Sequence, residues 1–309
     1  MHIQKNIPLN DKNWFSTGGP ARFFCEPTTE MQFVQAVQYA RDHALEIFVL
    51  GAGANILISD DGFDGLVIRP QLKQIVSHPG DPLVTAGAGA DIQELIDCSL
   101  DLLKIGLEDF SGIPGTVGGA MYINIHYFKH LLSNFVVSAR VIEAASGLVY
   151  DVAPDWFGFG YNQTKLLEKK HFLISATFAL KPVDLIQAAY ARGRRDEIIR
   201  HRTSRYPNAN TCGSFFRNFH DHEIPDVIHG KKIPFVAYYL DKIGVKGALS
   251  VGGAVVSYQH ANMLVTQPQA TSSDVINLAR IMQQKVIDQF GLKPQPECQL
   301  IGFKYHPLL

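Results

Sequence analysis

The segment Ser111-Gly112-Ile113-Pro114-Gly115-Thr116-Val117-Gly118-Gly119-Ala120 is rich in glycine and other small residues. Two shorter segments of the same kind precede it, Gly51-Ala52-Gly53-Ala54-Asn55 and Gly87-Ala88-Gly89-Ala90-Asp91. Each segment alone is typical of a tight turn between strands. Glycine also lets backbone N–H groups converge on an anion without interference from a Cβ atom. Together, the three segments therefore predict a cradle for the pyrophosphate of a flavin or another nucleotide.

The common nucleotide-binding fingerprints do not occur in these segments. A dinucleotide-binding βαβ unit needs Gly-x-Gly-x-x-Gly running into a helix. Ile56 and Ile92 occupy the third glycine position of the first two segments. A Walker A loop needs Gly-Lys followed by Ser or Thr, and that sequence follows none of the three. We therefore expect a phosphate cradle of a different architecture.

Helical and strand-like patterns alternate around the glycine-rich segments. Apolar spacing predicts helices that begin near Glu30, at Asp91 and near Ser273, and a helical, arginine-rich stretch over Leu185–Arg202. The helix that begins at Asp91 is predicted to carry Leu103 on its apolar face. Short apolar runs predict strands over 47–50, 56–58, 66–68, 83–86, 135–143 and 172–180. This mixture indicates the α+β class and not a doubly wound parallel sheet.

Composition excludes several classes of function. The chain has 309 residues, of which 46% are hydrophobic, and a net charge of −1, so no basic field points to nucleic acid. We see no signal peptide and no run approaching the roughly 20 apolar residues that span a bilayer. The cysteines Cys25, Cys98, Cys212 and Cys298 lack CxxC spacing, which predicts reduced thiols. We expect a cytoplasmic monomer.

Further segments extend the pattern along nearly the whole chain. In order, the segments are Ser16–Ala21, Leu50–Asp60, Ala86–Gly89, Gly112–Ala120, Phe159–Tyr161, Gly213–Asn218, Gly252–Ala254 and Pro296–Gly302. One such motif would be weak evidence, but the whole series in this order is specific. The chain resembles the UDP-N-acetylenolpyruvoylglucosamine reductase family, in the branch without an extra tyrosine-bearing loop.

The resemblance implies both a fold and a reaction. It implies a two-part FAD-binding module of the vanillyl-alcohol-oxidase type, with 1–70 and 292–309 as one part and 71–184 as the other. An α+β substrate-binding domain over 185–291 would follow. The implied reaction is reduction by NADPH, through FAD, of the enolpyruvyl group of a UDP-sugar. The product would be UDP-N-acetylmuramate for peptidoglycan.

The resemblance also implies roles for individual residues. Ser214 matches the serine that protonates the reaction intermediate, and Glu297 matches the glutamate that helps stabilise it. Tyr161 matches the tyrosine of a Tyr-Arg pair near the flavin, and Arg217 and Asn218 are expected to contact the substrate. The expected FAD contacts are Gly51, Ala52, Gly53, Ala54, Asn55, Ile56, Gly87, Gly112, Ile113, Pro114, Gly115, Thr116, Gly118, Gly119 and Ala120.

Two departures from the family pattern matter. Asn162 stands at the catalytic position where the family has arginine, so a charge-assisted, bidentate hold on a carboxylate is lost. Arg217, Arg140 or another cation takes over, or the substrate differs, or activity is low. The segment from Asn124 to His130 is bulkier than its small-residue counterpart. A divergent FAD-binding oxidoreductase with another substrate, or a non-catalytic relative, therefore remains an alternative.

The remaining groups of histidine, cysteine and arginine residues are interpreted mainly as structural or solvent-exposed. His126 with His130, and His220 with His222, have spacings that can hold a metal ion, but no further ligands follow nearby, so no metal site is predicted. Cys212 is interpreted as a small buried thiol. The arginines of 192–205 are interpreted mainly as a solvated helix face, from which one or two could reach the diphosphate of a substrate.

Overall fold

The structure is a computed structural model that describes residues 1–77, 80–127, 130–224 and 232–308. The chain divides into two units. The first unit consists of Met1–Lys5, Arg22–Ala52 and Asp64–Arg202, and the second of Asn6–Ala21, Gly53–Phe63 and Thr203–Leu309. No helix within the described ranges is long and apolar enough to cross a membrane.

Helices and strands are mixed along the chain. The strands are β1 (Gln4–Pro8), β2 (Pro20–Cys25), β3 (Ile47–Val49), β4 (Ile56–Ile58), β5 (Phe63–Ile68), β6 (Ile75–Val76), β7 (Leu83–Gly87), β8 (Lys104–Ile105), β9 (His126–Tyr127), β10 (His130–Leu131), β11 (Val136–Glu143), β12 (Val149–Val152), β13 (His171–Ala179), β14 (Lys181–Pro182), β15 (Ser250–Val251), β16 (Ala254–Val256), β17 (Leu264–Thr266) and β18 (Gln299–Ile301). The α-helices are α1 (Glu30–Asp42), α2 (Ile92–Asp101), α3 (Val117–Ile123), α4 (Leu185–Arg205), α5 (Val236–Lys242) and α6 (Ser272–Phe290). One-turn 3-10 helices lie at Asn10–Lys12, Glu108–Phe110, Leu132–Asn134, Pro154–Phe157, Lys165–Glu168 and Asp221–Glu223.

A five-stranded antiparallel sheet organises much of the first unit. Its order is β12-β11-β13-β7-β6. The second half of β13 alternates between buried and half-buried residues, the pattern of a strand with one face on a core. That core includes Leu95 of α2, Met121 of α3 and Phe178 of β13. The sheet thus supports the two helices that follow the second and third glycine-rich segments.

A second sheet, ordered β1-β2-β5-β3, includes the parallel pair β3 and β5. Helix α1 connects β2 to β3 along the chain. Its predicted start is confirmed, because the Thr29 side chain accepts a hydrogen bond from the Gln32 N–H at 3.2 Å. Phe33, Val37 and Ala40 form its buried face.

Helix α2 begins where predicted and ends earlier than predicted. The Asp91 carboxylate accepts hydrogen bonds from the N–H groups of Gln93 and Glu94, at 2.7 and 3.3 Å. The helix ends at Asp101, and Leu103 has a left-handed φ of 56°. The prediction that this helix carries Leu103 was therefore wrong, because the backbone reverses there and enters β8.

Helix α4 carries the arginine-rich stretch. Three of its arginines pair with carboxylates of the first unit: Arg192 with Asp101 at 2.5 Å, Arg194 with Asp109 at 2.5 Å, and Arg195 with Asp97 at 2.7 Å. Asp97 and Asp101 belong to α2, and Asp109 belongs to the 3-10 helix Glu108–Phe110. These arginines therefore hold α4 against its neighbours in the first unit.

The second unit is built around α6 and two small sheets. The antiparallel sheet β15-β16-β17 packs with α6 in a core that includes Val275, Leu278 and Met282. Strand β18 pairs in parallel with β4, which lies far away in the sequence. The predicted end of α6 is confirmed, because Gly291 adopts a left-handed φ of 67° immediately after Phe290.

Candidate functional site

The second glycine-rich segment uses its own N–H groups within the fold. The N–H groups of Gly87 and Gly89 donate to the carbonyls of Gln74 and Leu72, each at 2.9 Å, and the Ala88 N–H donates to the Ile174 carbonyl at 2.8 Å. A Cβ on Gly87 would lie 2.1 Å from the Leu72 carbonyl oxygen. Glycine is therefore required at position 87 for close packing, and a contact of Gly87 with FAD stays a prediction.

The first turn of α3 is also satisfied internally. The N–H groups of Val117 and Gly118 donate to the carbonyls of Ala90 and Ala88, each at 2.8 Å. The Thr116 hydroxyl accepts from the Gly119 N–H at 3.2 Å as the helix N-cap. The N-terminus of α3 is therefore joined to the second segment, and the N–H groups of Val117, Gly118 and Gly119 are already used.

Four backbone N–H groups of the first and third glycine-rich segments differ from those just described, which are hydrogen-bonded within the fold. Within the described part of the chain, no residue accepts a hydrogen bond from the N–H of Gly51, Ala52, Gly115 or Thr116. The first and third segments also approach each other closely, because a Cβ on Gly51 would lie 2.7 Å from the Thr116 Oγ1 atom. Gly115 has a φ of 150°, and space is open where its Cβ would be. Such a cluster of available donors fits an anionic cofactor such as a pyrophosphate.

In the second unit, the residues that follow Gly53 meet the C-terminal segment. Gly53 has a φ of 69°, and its Cβ would lie 2.4 Å from the Lys12 carbonyl oxygen, so no other residue fits there without rearrangement. The Asn55 carbonyl accepts from the Gln299 N–H at 3.1 Å, and the Asn55 amide donates to the Glu297 carbonyl at 3.5 Å. Ala54 and Ile56, also predicted FAD contacts, flank Asn55. Asn55 thus lies against the segment that carries Glu297.

Ser214 and Glu297 are carried by paired backbone segments. The Glu297 N–H donates to the Phe215 carbonyl at 2.8 Å, and the Arg217 N–H donates to the Gln295 carbonyl at 2.9 Å. Between these bonds, Phe216 and Pro296 form a bridge position that requires no N–H from Pro296. Both Ser214 and Glu297 are half-buried. The structure therefore places side by side the backbone segments that carry the two residues to which the resemblance gives the chemistry.

Asn262 holds the serine-bearing segment and was not predicted from the sequence. Its carbonyl accepts from the Phe215 N–H at 2.8 Å. Its buried side chain accepts from the Phe216 N–H at 3.0 Å and donates to the Phe216 carbonyl at 2.7 Å. An isolated asparagine in Ala261-Asn262-Met263 gives no signal of this role, because the partner lies far away in the sequence.

Arg217 is held by a carboxylate of its own unit. Its two terminal nitrogens donate to the two oxygens of Glu223, each at 2.7 Å, and one also donates to the Asn218 carbonyl at 2.9 Å. Together with the His220 N–H, this guanidinium lowers the pKa of Glu223 to about 2. The fork of Arg217 is therefore already engaged, and an anionic ligand would have to share it with Glu223.

The Arg217–Glu223 pair predicts an acid-sensitive contribution to stability. The folded-state pKa of Glu223 is depressed, so its contribution is present above the ordinary carboxyl pKa of 4.5 and is lost as the pH falls towards about 2. We expect Glu223→Gln to be less stable than wild type at pH 7, with the difference shrinking at pH 3. Urea unfolding at both pH values measures it. Asp241→Asn, at an exposed carboxylate of the same unit, should show no such narrowing; a Glu223→Gln gap of equal size at both pH values would contradict the linkage.

Tyr161 and Asn162 form the tip of a tight turn in the first unit. The Gly160 N–H donates to the Gln163 carbonyl at 2.9 Å, and Asn162 adopts a left-handed φ of 50°. Asparagine tolerates that conformation better than arginine does. Asn124, fully buried at the end of α3, donates to the Gly160 carbonyl at 3.0 Å and so ties the turn to α3.

The surroundings of His126, Arg140 and Arg217 bear on which side chain could replace the family arginine at position 162. The His126 ring lies 4.5 Å from the Tyr161 ring, and burial lowers the pKa of His126, so it presents a neutral imidazole at pH 7. Arg140 is bound by Glu30 at 2.7 Å and by Asp151 at 3.2 Å. Both arginines named from the sequence are thus already paired. Phe128 and Lys129 of the divergent segment lie outside the described residues.

The remaining constellations have structural explanations. Cys212 and Cys298 are buried in the core of the second unit, where burial and a contact with Cys212 raise the pKa of the Cys298 thiol. Across the described ranges, no group of three or more His, Cys, Asp or Glu side chains could hold a metal ion. His130 instead lies 3.3 Å from Asp109, and His220 stacks on His222.

Comparison with known proteins identifies the class and then the family. Residues 21–153, most of which belong to the first unit, match the model of an FAD binding domain, so the chain is of the FAD-binding class. Residues 205–301 match the model of the C-terminal domain of UDP-N-acetylenolpyruvoylglucosamine reductase. The chain belongs to the UDP-N-acetylenolpyruvoylglucosamine reductase family.

The relatives support this assignment over their full length. The reductases of Solibacter usitatus and Parasynechococcus marenigrum are 30% and 32% identical to this chain, and each alignment covers 98% of the chain and 97% of the relative. The crystal structure of the reductase (MurB) from Thermus caldophilus superimposes with a TM-score of 0.78 at 24% identity, over 97% of this chain and 99% of that one. The predicted α+β fold and the FAD cofactor are confirmed.

Proposed function

We propose that the chain is a UDP-N-acetylenolpyruvoylglucosamine reductase of peptidoglycan synthesis. The observation that carries the proposal is the backbone pairing of the Ser214 and Glu297 segments, within the family to which the chain belongs. Bound FAD would supply hydride transfer, taking hydride from NADPH and giving it to the enolpyruvyl double bond. The remaining tasks, which are binding, orientation and proton donation, fall to side chains and backbone of this chain.

Ser214 is the proposed proton donor to the carbon that becomes negatively charged. A serine hydroxyl is a weak acid, so it can serve only where the acceptor is a strong base, as a carbanion or enolate is. Gly213 has a φ of 77° and open space in place of a side chain, so the backbone before Ser214 is accessible. Glu297 is proposed to stabilise the same anion, which a carboxyl group can do only as a protonated hydrogen-bond donor.

FAD is proposed to rest on the available N–H groups of the first and third glycine-rich segments. Tyr161 and Asn162 are proposed to lie near it, and Arg217 and Asn218 to contact the UDP-sugar. We further propose the three-part division of 1–70 with 292–309, 71–184 and 185–291. We also propose a cytoplasmic monomer that uses NADPH, binds no nucleic acid or membrane, and contributes to cell-wall synthesis, cell shape and division.

Anaerobic stopped-flow absorbance tests the proposal. The expected result is a flavin spectrum that NADPH bleaches and that the enolpyruvyl UDP-sugar restores, with UDP-N-acetylmuramate as product. Asn162 favours one alternative, a divergent oxidoreductase with another substrate. NADPH would bleach the flavin of such a protein, but this UDP-sugar would not restore its colour. A protein that binds FAD and is not bleached by NADPH would instead indicate a non-catalytic relative.

A further inference from the structure

One side chain, that of Gln93 in the first turn of α2, is bonded at two points to the third glycine-rich segment and at a third point to Phe110, which immediately precedes that segment. Its amide nitrogen donates to the carbonyls of Phe110 and Ile113, at 3.2 and 2.8 Å. Its amide oxygen accepts from the Gly112 N–H at 2.9 Å. Neither motif matching nor family resemblance singles out this residue, since Gln93 lies outside every matched segment.

The amide of Gln93 is itself held in one orientation. Arg195 of α4 donates to the Gln93 oxygen at 2.8 Å, so that oxygen must be the acceptor and the nitrogen the donor. Asp97 fixes Arg195 in turn through two parallel hydrogen bonds, both at 2.7 Å. The Arg195 side chain is only 12% exposed, whereas that of Asp97 is 50% exposed, so the pair is shielded from water on the arginine side. Gln93 therefore has a preset geometry before any ligand arrives.

The three bonds fix the conformation of the residues immediately before Gly115 and Thr116. Gly112 has a left-handed φ of 72°, which glycine adopts without a steric penalty but which, like any one glycine conformation, costs backbone entropy to fix. The Gly115 carbonyl accepts from the Ile92 N–H at 3.0 Å, so α2 also holds the far end of the loop. Gly115 and Thr116 then present N–H groups that no described residue uses.

We propose that Gln93 is a positioning residue for FAD, which holds the 110–115 loop so that the N–H groups of Gly115 and Thr116 face the cofactor phosphates. The proposal rests on the FAD binding assigned to this unit. Preorganised donors bind an anion more tightly because the cost of ordering the loop is met during folding. Without Gln93, the loop would have to be ordered when FAD binds.

The test is FAD affinity of the apoprotein, measured by quenching of flavin fluorescence, with no NADPH or UDP-sugar present. Gln93→Ala is expected to raise the Kd for FAD roughly 10- to 100-fold, because three hydrogen bonds that order the loop are lost. Gln93→Glu keeps the acceptor for Gly112 and Arg195 but cannot donate to Phe110 and Ile113, so its Kd should be intermediate. Gln35→Ala, at an exposed glutamine of α1, is the matched control and should leave the Kd unchanged.

The unfolding midpoint of each apoprotein separates positioning from simple stabilisation. If Gln93 only stabilises the fold, Gln93→Ala lowers the apoprotein midpoint while its Kd for FAD equals that of wild type; that result overturns the proposal. If Gln93 positions the loop, the Kd of Gln93→Ala for FAD is raised, and adding FAD raises its unfolding midpoint by less than it raises that of wild type. Should Gln93→Ala not fold, Gln93→Glu decides by the same two measurements. Wild-type apoprotein that fails to bind FAD would count against the proposed function itself, and so would be recognised separately.

Discussion

Ser214→Ala is expected to slow reduction of the enolpyruvyl UDP-sugar by about 10²–10⁴-fold, the range for loss of a positioned proton donor. Flavin reduction by NADPH should keep its wild-type rate, because that half-reaction takes no proton from Ser214. Pre-steady-state absorbance resolves the two halves within one experiment. The expected signature is a flavin that is bleached normally by NADPH and regains its colour slowly when the UDP-sugar is added.

A matched control separates chemistry from folding. Ser250→Ala removes an exposed serine hydroxyl from β15 in the same unit, and both half-reactions should stay at their wild-type rates. The UDP-sugar should still bind to Ser214→Ala, so KM should change much less than kcat. Normal turnover by Ser214→Ala would remove Ser214 from the mechanism, even if the reaction itself is the one proposed.

Gly51→Ala is expected to weaken FAD binding roughly 10- to 100-fold, because it overfills the contact between the first and third glycine-rich segments. The new Cβ would lie 2.7 Å from the Thr116 Oγ1 atom, which is closer than a non-bonded contact allows. That oxygen is also the N-cap of α3 and cannot move without releasing the Gly119 N–H. The available N–H groups of Gly51 and Thr116 would therefore be forced apart. Fluorescence titration of the apoprotein with FAD measures the loss.

A double variant tests the cause. Thr116→Ala removes the Oγ1 atom, and the nearest remaining atom to a Cβ at position 51 would be the Cβ of residue 116, at an ordinary 3.8 Å. Thr116→Ala alone should cost about 0.5–2 kcal/mol of unfolding free energy through the lost cap. The double variant should lose less free energy of FAD binding than the sum of the binding losses measured for the two single variants. Strictly additive losses would show that this contact is not what Gly51→Ala disturbs.

Local chemistry made the helices predictable. Thr29 and Asp91 begin helices because their side chains satisfy otherwise unpaired N–H groups, and Gly291 ends α6 because it can adopt a left-handed φ. Strand β4 was predicted with its observed bounds, and the other predicted strands differ from the observed ones by a few residues at their ends. Strand β1 was missed because its mostly exposed, polar residues lack an alternating pattern, and β2 because its buried residues Ala21, Phe24 and Cys25 do not alternate strictly with exposed ones. Burial against distant partners stabilises such strands, and a single local window does not contain them.

The candidate site, too, was predictable only where local sequence decides the structure. Glycine content singled out the loops as candidates, but it could not show which N–H groups remain available, because that depends on carbonyls such as those of Ala88 and Ala90. The supporting residues Gln93, Asn124 and Asn262 were missed for one reason. A buried amide gains its role from backbone groups that the fold brings to it. The pairing of Arg217 with Glu223 was likewise hidden, because it requires a turn whose geometry the sequence does not specify.

The parallel pairing of β18 with β4 bears on how the protein is made. Two strands separated by most of the chain complete this ladder, and the Ser59 N–H donates to the Ile301 carbonyl at 2.8 Å beside it. During translation, β4 leaves the ribosome long before β18 does, so the second unit cannot finish folding until β18 has been synthesised. Until then, the apolar run Ile56-Leu57-Ile58 lacks its partner strand, so we expect chaperones to bind it on the growing polypeptide.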